Sequence, residues 1–184
     1  EVQAGVGRTG KFWGHEHSTA KPDIVITAKG LASGFPISAI AASTELMSKA
    51  WPGSQGGTYG GNAVAAAAAV ATLDVVRDEG LVENAAVQGA VLLDGLKALK
   101  EQYWAIGDAR GLGLMQALEF VDENGKPDAA AAARVQQTAI SEGLLLLTCG
   151  AFGNVVRVIP ALVVTEAEIA EGVDAVARTL KRSL

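Results

Sequence analysis

Apolar positions along the chain follow a strand-like period in some stretches and a helical one in others. Residues 24–28, Ile-Val-Ile-Thr-Ala, form a short β-branched run between Lys21-Pro22-Asp23 and Lys29-Gly30. Such a run predicts a strand buried on both faces, as in an α/β sheet. A second apolar run, 37–42, follows Gly34-Phe35-Pro36. Residues 63–77 are nearly all apolar and small, which predicts a helix buried on most sides, with Asn62 placed to cap it and Gly80 to end it. From 81 to 103, Val82, Ala86, Ala90, Leu93, Leu96 and Leu99 recur near helical spacing and predict a longer amphipathic helix. The pattern changes after Ile106. A strand is expected at 114–121, a turn at 122–127 and a helix at 129–142 stopped by Gly143. Short strands at 144–147 and 155–159 follow, joined by a glycine-containing loop. Thr165 and Glu168 have capping-box spacing for a last helix, with Lys181 and Arg182 in its final turn where the helix dipole favours them. The glycine-rich stretches 1–12 and 53–62 read as loops.

These elements divide into a buried α/β piece at 1–80, a connecting helix at 81–104 and a smaller α+β piece at 105–184. Composition supports a packed globular core rather than disorder: about half of the residues are apolar (49%) and charged ones are sparse (19%). A net charge of −5 without blocks of like charge disfavours nucleic acid and anionic membrane surfaces as partners. No stretch reaches transmembrane length. The single cysteine, Cys149, excludes an internal disulfide framework and fits a reducing, cytoplasmic setting. Glu1-Val2-Gln3 carries neither an initiator Met nor a signal pattern, so the chain is expected to be part of a longer polypeptide.

Several residues invite chemistry, each beside a plainer reading. Lys29 closes an apolar strand; by composition it is a strand-end surface lysine, but a lysine nucleophile works when its amine is neutral, which apolar surroundings favour. Thr58 lies among Gly53, Gly56, Gly57, Gly60 and Gly61. It either tightens a glycine turn or offers a hydroxyl to phosphate beside exposed backbone amides. Arg157 interrupts the apolar run 155–159, as an edge-strand arginine facing solvent or as a fork for a carboxylate. Arg110 sits in a glycine turn and is expected to be structural. His15 and His17 flank Glu16, but nothing else supplies ligands at zinc-like spacing, so no metal is expected. Cys149 is expected to be a small buried hydrophobe, and Trp13, Trp51 and Trp104 to serve packing.

Taken in order, four segments resemble the class III aminotransferases of fold type I, most nearly the 4-aminobutyrate aminotransferase branch. They are Glu1-Val2-Gln3 with Gly5-Val6-Gly7-Arg8-Thr9-Gly10; Pro22-Asp23-Ile24-Val25 with Ala28-Lys29-Gly30; Gly57-Thr58-Tyr59-Gly60-Gly61-Asn62; and Asn154-Val155-Val156-Arg157 with Ile159-Pro160. Arg110-Gly111-Leu112-Gly113 adds a fifth, weaker piece. The resemblance implies the C-terminal part of the large cofactor-binding domain followed by a small α+β domain. It implies pyridoxal 5'-phosphate held by Lys29 as a Schiff base, with the same amine serving as general acid and base. Gln3 is implied to bond the phenolic oxygen, Thr58 the phosphate of a neighbouring subunit's cofactor, and Arg157 the substrate carboxylate. The implied partners are an amino donor, a 2-oxo acid and a second copy of the chain. The family's pyridinium-pairing aspartate would directly precede Glu1, and its Gly-Ser phosphate segment also lies outside this chain. Racemisation or epimerisation on the same frame, or an inactive truncated fragment, are the alternatives.

Overall fold

The computed structural model describes residues 1–184, which form two compact units, Glu1–Glu83 and Asn84–Leu184. The first unit begins with turns and a 3-10 turn at Gly14–His17. Then come β1 (Ile24–Thr27), a 3-10 turn at Lys29–Ala32, β2 (Ala39–Ala42), a one-turn helix α1 (Thr44–Met47) and α2 (Ala63–Asp78). β1 and β2 pair antiparallel, Ile24 opposite Ala42 and Thr27 opposite Ala39. They form a two-stranded ribbon, so the expected burial on both faces is not met: Ile24, Ile26 and Ile40 stand about half exposed. The apolar run is suited to neighbouring strands and covering layers that these 184 residues do not supply.

α2 departs from expectation in the same way. Asn62 caps it, its Oδ1 accepting the N–H groups of Val64 at 3.1 Å and Ala65 at 3.0 Å. Only Ala65, Ala69 and Val76 are buried, while Val64, Val70 and Val75 are exposed. One stripe is covered, and the helix packs on the Lys29–Ala32 turn.

The first residues of α3 (Leu81–Lys100) close the first unit, and the rest of the helix opens the second. Next come β3 (Ile106–Leu112), β4 (Met115–Phe120), α4 (Ala129–Ser141), β5 (Leu147–Cys149), β6 (Val155–Val158) and α5 (Glu166–Ser183). The strands form one antiparallel sheet in the order β3-β4-β6-β5. Its core joins Leu92, Leu96 and Leu99 of α3 to Leu118, Phe120, Val135, Val156 and Leu180. Each such large apolar side chain contributes about 1.5–3 kcal/mol on burial. The inward stripe of α3 is Ala85, Leu92, Leu96 and Leu99, whereas Ala86 and Ala90 are exposed, a rotation from the expected face. No helix is long and apolar enough to cross a membrane.

Residues 106–112, not expected as a strand, form β3. Two glycines and two charges give the segment little strand propensity. A register shift between Ile106 and Asp108 breaks the alternation, so the buried residues are Ile106 and Ala109 rather than every second one. Gly111 is required there, because a Cβ on it would stand 2.2 Å from the Met115 carbonyl oxygen. β5 begins where the apolar run 144–147 was expected to end, and Cys149 on it is only half-buried.

α5 opens with the expected capping box. The Thr165 hydroxyl accepts the Glu168 N–H at 3.3 Å and the Glu168 carboxylate accepts the Thr165 N–H at 2.8 Å. Farther along, Glu142 after α4 accepts from Arg178 Nε at 2.9 Å and from Arg182 Nη1. The Arg178 hydrogen bond, then that of Arg182, holds the Glu142 carboxyl below its ordinary pKa. A carboxylate whose pKa is lower folded than unfolded stabilises the fold above the ordinary carboxylate range, and the gain is lost as pH falls through the folded value. The melting temperature of Glu142→Gln should therefore lie below the parent's at neutral pH and converge on it only when pH falls below the folded value, under the ordinary glutamate pKa of about 4.3. A gap that persists in acid would assign the effect to packing instead.

Candidate active site

The four residues expected to act lie in both units. Gln3, Lys29 and Thr58 belong to the first and Arg157 to the second. Gln3 is half-buried in the opening turn, which Gly5 closes by donating its N–H to the Glu1 carbonyl oxygen at 3.2 Å. The Glu1 side chain faces residues 14 and 15. Its carboxylate accepts the N–H of Gly14 at 2.7 Å, the N–H of His15 at 2.9 Å and His15 Nδ1 at 2.9 Å. Burial works to raise the Glu1 pKa, but the N–H groups of His15 and Gly14 and the His15 ring outweigh it and hold the carboxyl below its ordinary value. An ionised carboxylate only accepts, so Nδ1 carries a proton.

Lys29 follows β1 and is exposed. The apolar surroundings expected for its amine are not provided within the chain. Its backbone, however, is in the left-handed region at φ +43°, as are Val6 at +56° and Ser33 at +46°. A non-glycine residue there costs on the order of 1–3 kcal/mol, and such strain gathers at sites where side-chain direction matters. The three positions flank the segments that carry Gln3 and Lys29. Those segments also approach each other: a Cβ on Gly30 would meet Val6 Cβ at 3.8 Å. Two residues before Lys29, Thr27 Oγ1 is buried without a hydrogen-bond partner. Thr58 is exposed in the glycine loop before α2, the helix that packs on the Lys29 turn.

Arg157 lies on β6, between Ala117 of β4 and Leu147 of β5. β6 is an interior strand, which removes the alternative of an edge-strand arginine. The residue is half-buried, and its Nε is buried without a hydrogen-bond partner. Buried donors are satisfied in the great majority of cases, so an unpaired guanidinium nitrogen marks a place for an acceptor. Arg110 contrasts with it. It lies on β3 rather than in a glycine turn, and it is exposed and paired with Asp108 and Glu119.

Other expectations change as well. The two histidines lie at or near the surface, and each holds a partner: His15 binds Glu1, and His17 Nε2 lies 3.0 Å from the Thr9 carbonyl oxygen and 3.1 Å from its hydroxyl. Trp13 packs edge-on against Phe12 at 4.7 Å, but Trp51 and Trp104 are exposed, so they do not serve packing within the chain. Neither the Glu1 contact nor the Thr27 hydroxyl has a sequence signal, since both depend on which turns meet.

Comparison with known proteins places almost the whole chain in one family. The family model described as aminotransferase class-III matches residues 1–180. A 4-aminobutyrate aminotransferase of Escherichia coli is 39% identical over 180 residues, 97% of this chain and 42% of the relative. An alanine/serine racemase of Pyrococcus horikoshii is 40% identical over 184 residues, 100% of this chain and 39% of the relative. Among solved structures, an acetylornithine aminotransferase from Elizabethkingia anophelis superposes with a TM-score of 0.87 at 36% identity, covering 99% of this chain and 44% of that one. The chain thus spans about two fifths of the length of the curated relatives it matches.

Proposed function

Because the chain belongs to the class III aminotransferases, we propose that it is the C-terminal part of a pyridoxal-phosphate enzyme that moves an amino group from an amino acid or ω-amine, 4-aminobutyrate-like, to a 2-oxo acid. Residues 1–80 are then the remainder of the cofactor-binding domain, 81–104 the connecting helix and 105–184 the small C-terminal domain. The protein works as a cytoplasmic homodimer.

The side chains of the chain fit the cofactor. Lys29 offers an exposed amine on a strained turn, Gln3 a half-buried amide on the neighbouring segment, and Thr58 a hydroxyl in a glycine loop. Pyridoxal phosphate, when bound, supplies the aldehyde that takes the amino group and the ring that draws electrons from the substrate carbon. Lys29 would hold the cofactor and carry a proton at Nζ. Gln3 orients the phenolic oxygen. Thr58 bonds a phosphate oxygen of the neighbouring subunit's cofactor, so each active site draws on both copies.

The observation that supports a carboxylate-bearing substrate is the unpartnered, buried Nε of Arg157 on an interior strand. A carboxylate satisfies a guanidinium with two parallel hydrogen bonds and so fixes the angle at which the amino-bearing carbon arrives. Lysine matches the charge but not the fork. Arg157→Lys is expected to raise KM for carboxylate substrates by about 10- to 100-fold, the loss of a charge-assisted pair, and Arg157→Ala by more. Amines that carry no carboxylate should be spared. The measurement is kcat/KM for an amino acid and for a simple amine in parent and variants. Equal losses on both would mean that Arg157 holds the sheet rather than the substrate.

The racemase among the relatives, at similar identity, motivates a second reading. Incubation with an amino donor alone separates the two. A transaminase releases one equivalent of oxo acid per site, and a racemase interconverts the enantiomers without releasing any.

A further inference from the structure

Glu1 is a carboxylate with three N–H donors: two from the backbone of Gly14 and His15, and one from the His15 side chain. The Glu1 side chain is 9% exposed and that of His15 28%. We infer that His15 is a positioning residue for the cofactor, which through Glu1 holds the turn that carries Gln3. This rests on the cofactor reading of Gln3 given above.

The turn has little freedom of its own. Gln3 lies inside the loop closed by the Gly5 N–H on the Glu1 carbonyl oxygen. A Cβ on Gly5 would stand 2.9 Å from that oxygen and 3.0 Å from Trp13 Cε3, and a Cβ on Gly14 2.8 Å from Ala4 Cβ. The Gly5 main chain thus lies against the Trp13 ring and the Gly14 main chain against Ala4 Cβ, so a shift of Glu1 moves the closely packed segment that bears Gln3. The far end of the same 3-10 turn is tied down by His17 on Thr9 and by Lys11 Nζ, which donates to the Glu16 carbonyl oxygen at 2.7 Å. Of the three donors on Glu1, two are amides that any residue other than proline supplies at 14 and 15. The third requires a side-chain N–H at position 15. Without it the nearly buried carboxylate loses a charge-assisted bond and relaxes toward water.

The test compares His15→Leu, His15→Asn and Gln3→Ala in the holoenzyme. It follows the Kd for pyridoxal phosphate, the visible absorption of the bound cofactor and the melting temperature of the apoprotein. His15→Leu is expected to raise Kd about ten-fold, within what one charge-assisted bond supplies, and to move the absorption in the same sense as Gln3→Ala. His15→Asn restores a donor and should return both to within about two-fold of the parent. If His15→Leu does not fold, Glu1→Gln, which keeps the size and removes the charge, carries the same expectation. A lowered melting temperature with Kd and absorption unchanged overturns the proposal, since His15 would then only support the fold. If Gln3→Ala moves both cofactor signals and His15→Leu neither, the proposal alone has failed. If Gln3→Ala moves neither, the cofactor reading of Gln3 has failed and the proposal with it.

Discussion

Lys29→Ala is expected to abolish amino-group transfer, by on the order of 10⁴-fold or more, because in the proposed function one amine is both anchor and proton carrier. The variant should lose its cofactor on dialysis, and borohydride should leave no mass added at this position. Folding should be barely affected. Lys29 is exposed, so no packing is lost, and alanine keeps the Cβ that makes φ +43° costly. A companion variant uses that cost. Lys29→Gly should be equally inactive yet raise the melting temperature of the apoprotein, since glycine occupies the left-handed region without penalty, a gain of about 1 kcal/mol. An active Lys29→Ala protein that traps the cofactor on another lysine would remove Lys29 from the mechanism. A Lys29→Gly protein no more stable than Lys29→Ala would remove the strain.

Gly89→Ala is expected to destabilise the second unit by about 3 kcal/mol or more, in the upper range for overpacking. Alanine in a helix interior is favoured over glycine by about 1 kcal/mol, so propensity alone predicts the opposite sign. Sterics decide: a Cβ on Gly89 would stand 2.2 Å from the carbonyl oxygen of Gly113 and 2.5 Å from its Cα. That glycine, at φ +51°, makes the tight turn from β3 to β4. The obstacle is backbone, which cannot rotate aside as a side chain does. Gln116 adds to the loss. Its buried Nε2 bonds the Gly113 carbonyl oxygen at 2.7 Å within the hairpin and the Gly89 carbonyl oxygen of α3 at 3.3 Å, so separating helix from turn breaks the second. Gly172→Ala on α5 is the control. Nothing lies within 4 Å of its Cβ position, and it should stabilise by the propensity gain alone. Urea titrations of the two variants give the signs; the same sign for both would show that α3 moves off the turn at little cost.

What was legible beforehand depended on whether the cause was local. Asn62, Thr165 with Glu168, and Gly143 act within one turn of chain, and helix ends were placed well by them. The family resemblance was readable because motifs along the chain are preserved whatever covers them. Burial was not, because it depends on partners: 24–28 and 63–77 are apolar, yet much of their surface is exposed in this chain. β3 was hidden by its bulge and its glycines, and the face of α3 was misplaced because alanines at 85, 86 and 90 mark no side by themselves. For the candidate site, residue types announced Lys29, Thr58 and Arg157. The interior place of Arg157 came from the strand order β3-β4-β6-β5, which no periodicity encodes.

The two sheets differ in how they end sideways. In the second unit β5 is three residues long, and β3 is bulged and lined by Asp108 and Arg110, so neither offers a long, regular template for a foreign strand. In the first, β1 and β2 leave both outer sides unpaired, with Ile24, Ile26 and Ile40 half exposed. A ribbon of two strands is marginal in water, and an apolar one with free amides and carbonyls recruits other chains. Within these 184 residues, the strand that leads to Lys29 is therefore the segment most open to pairing with a foreign strand.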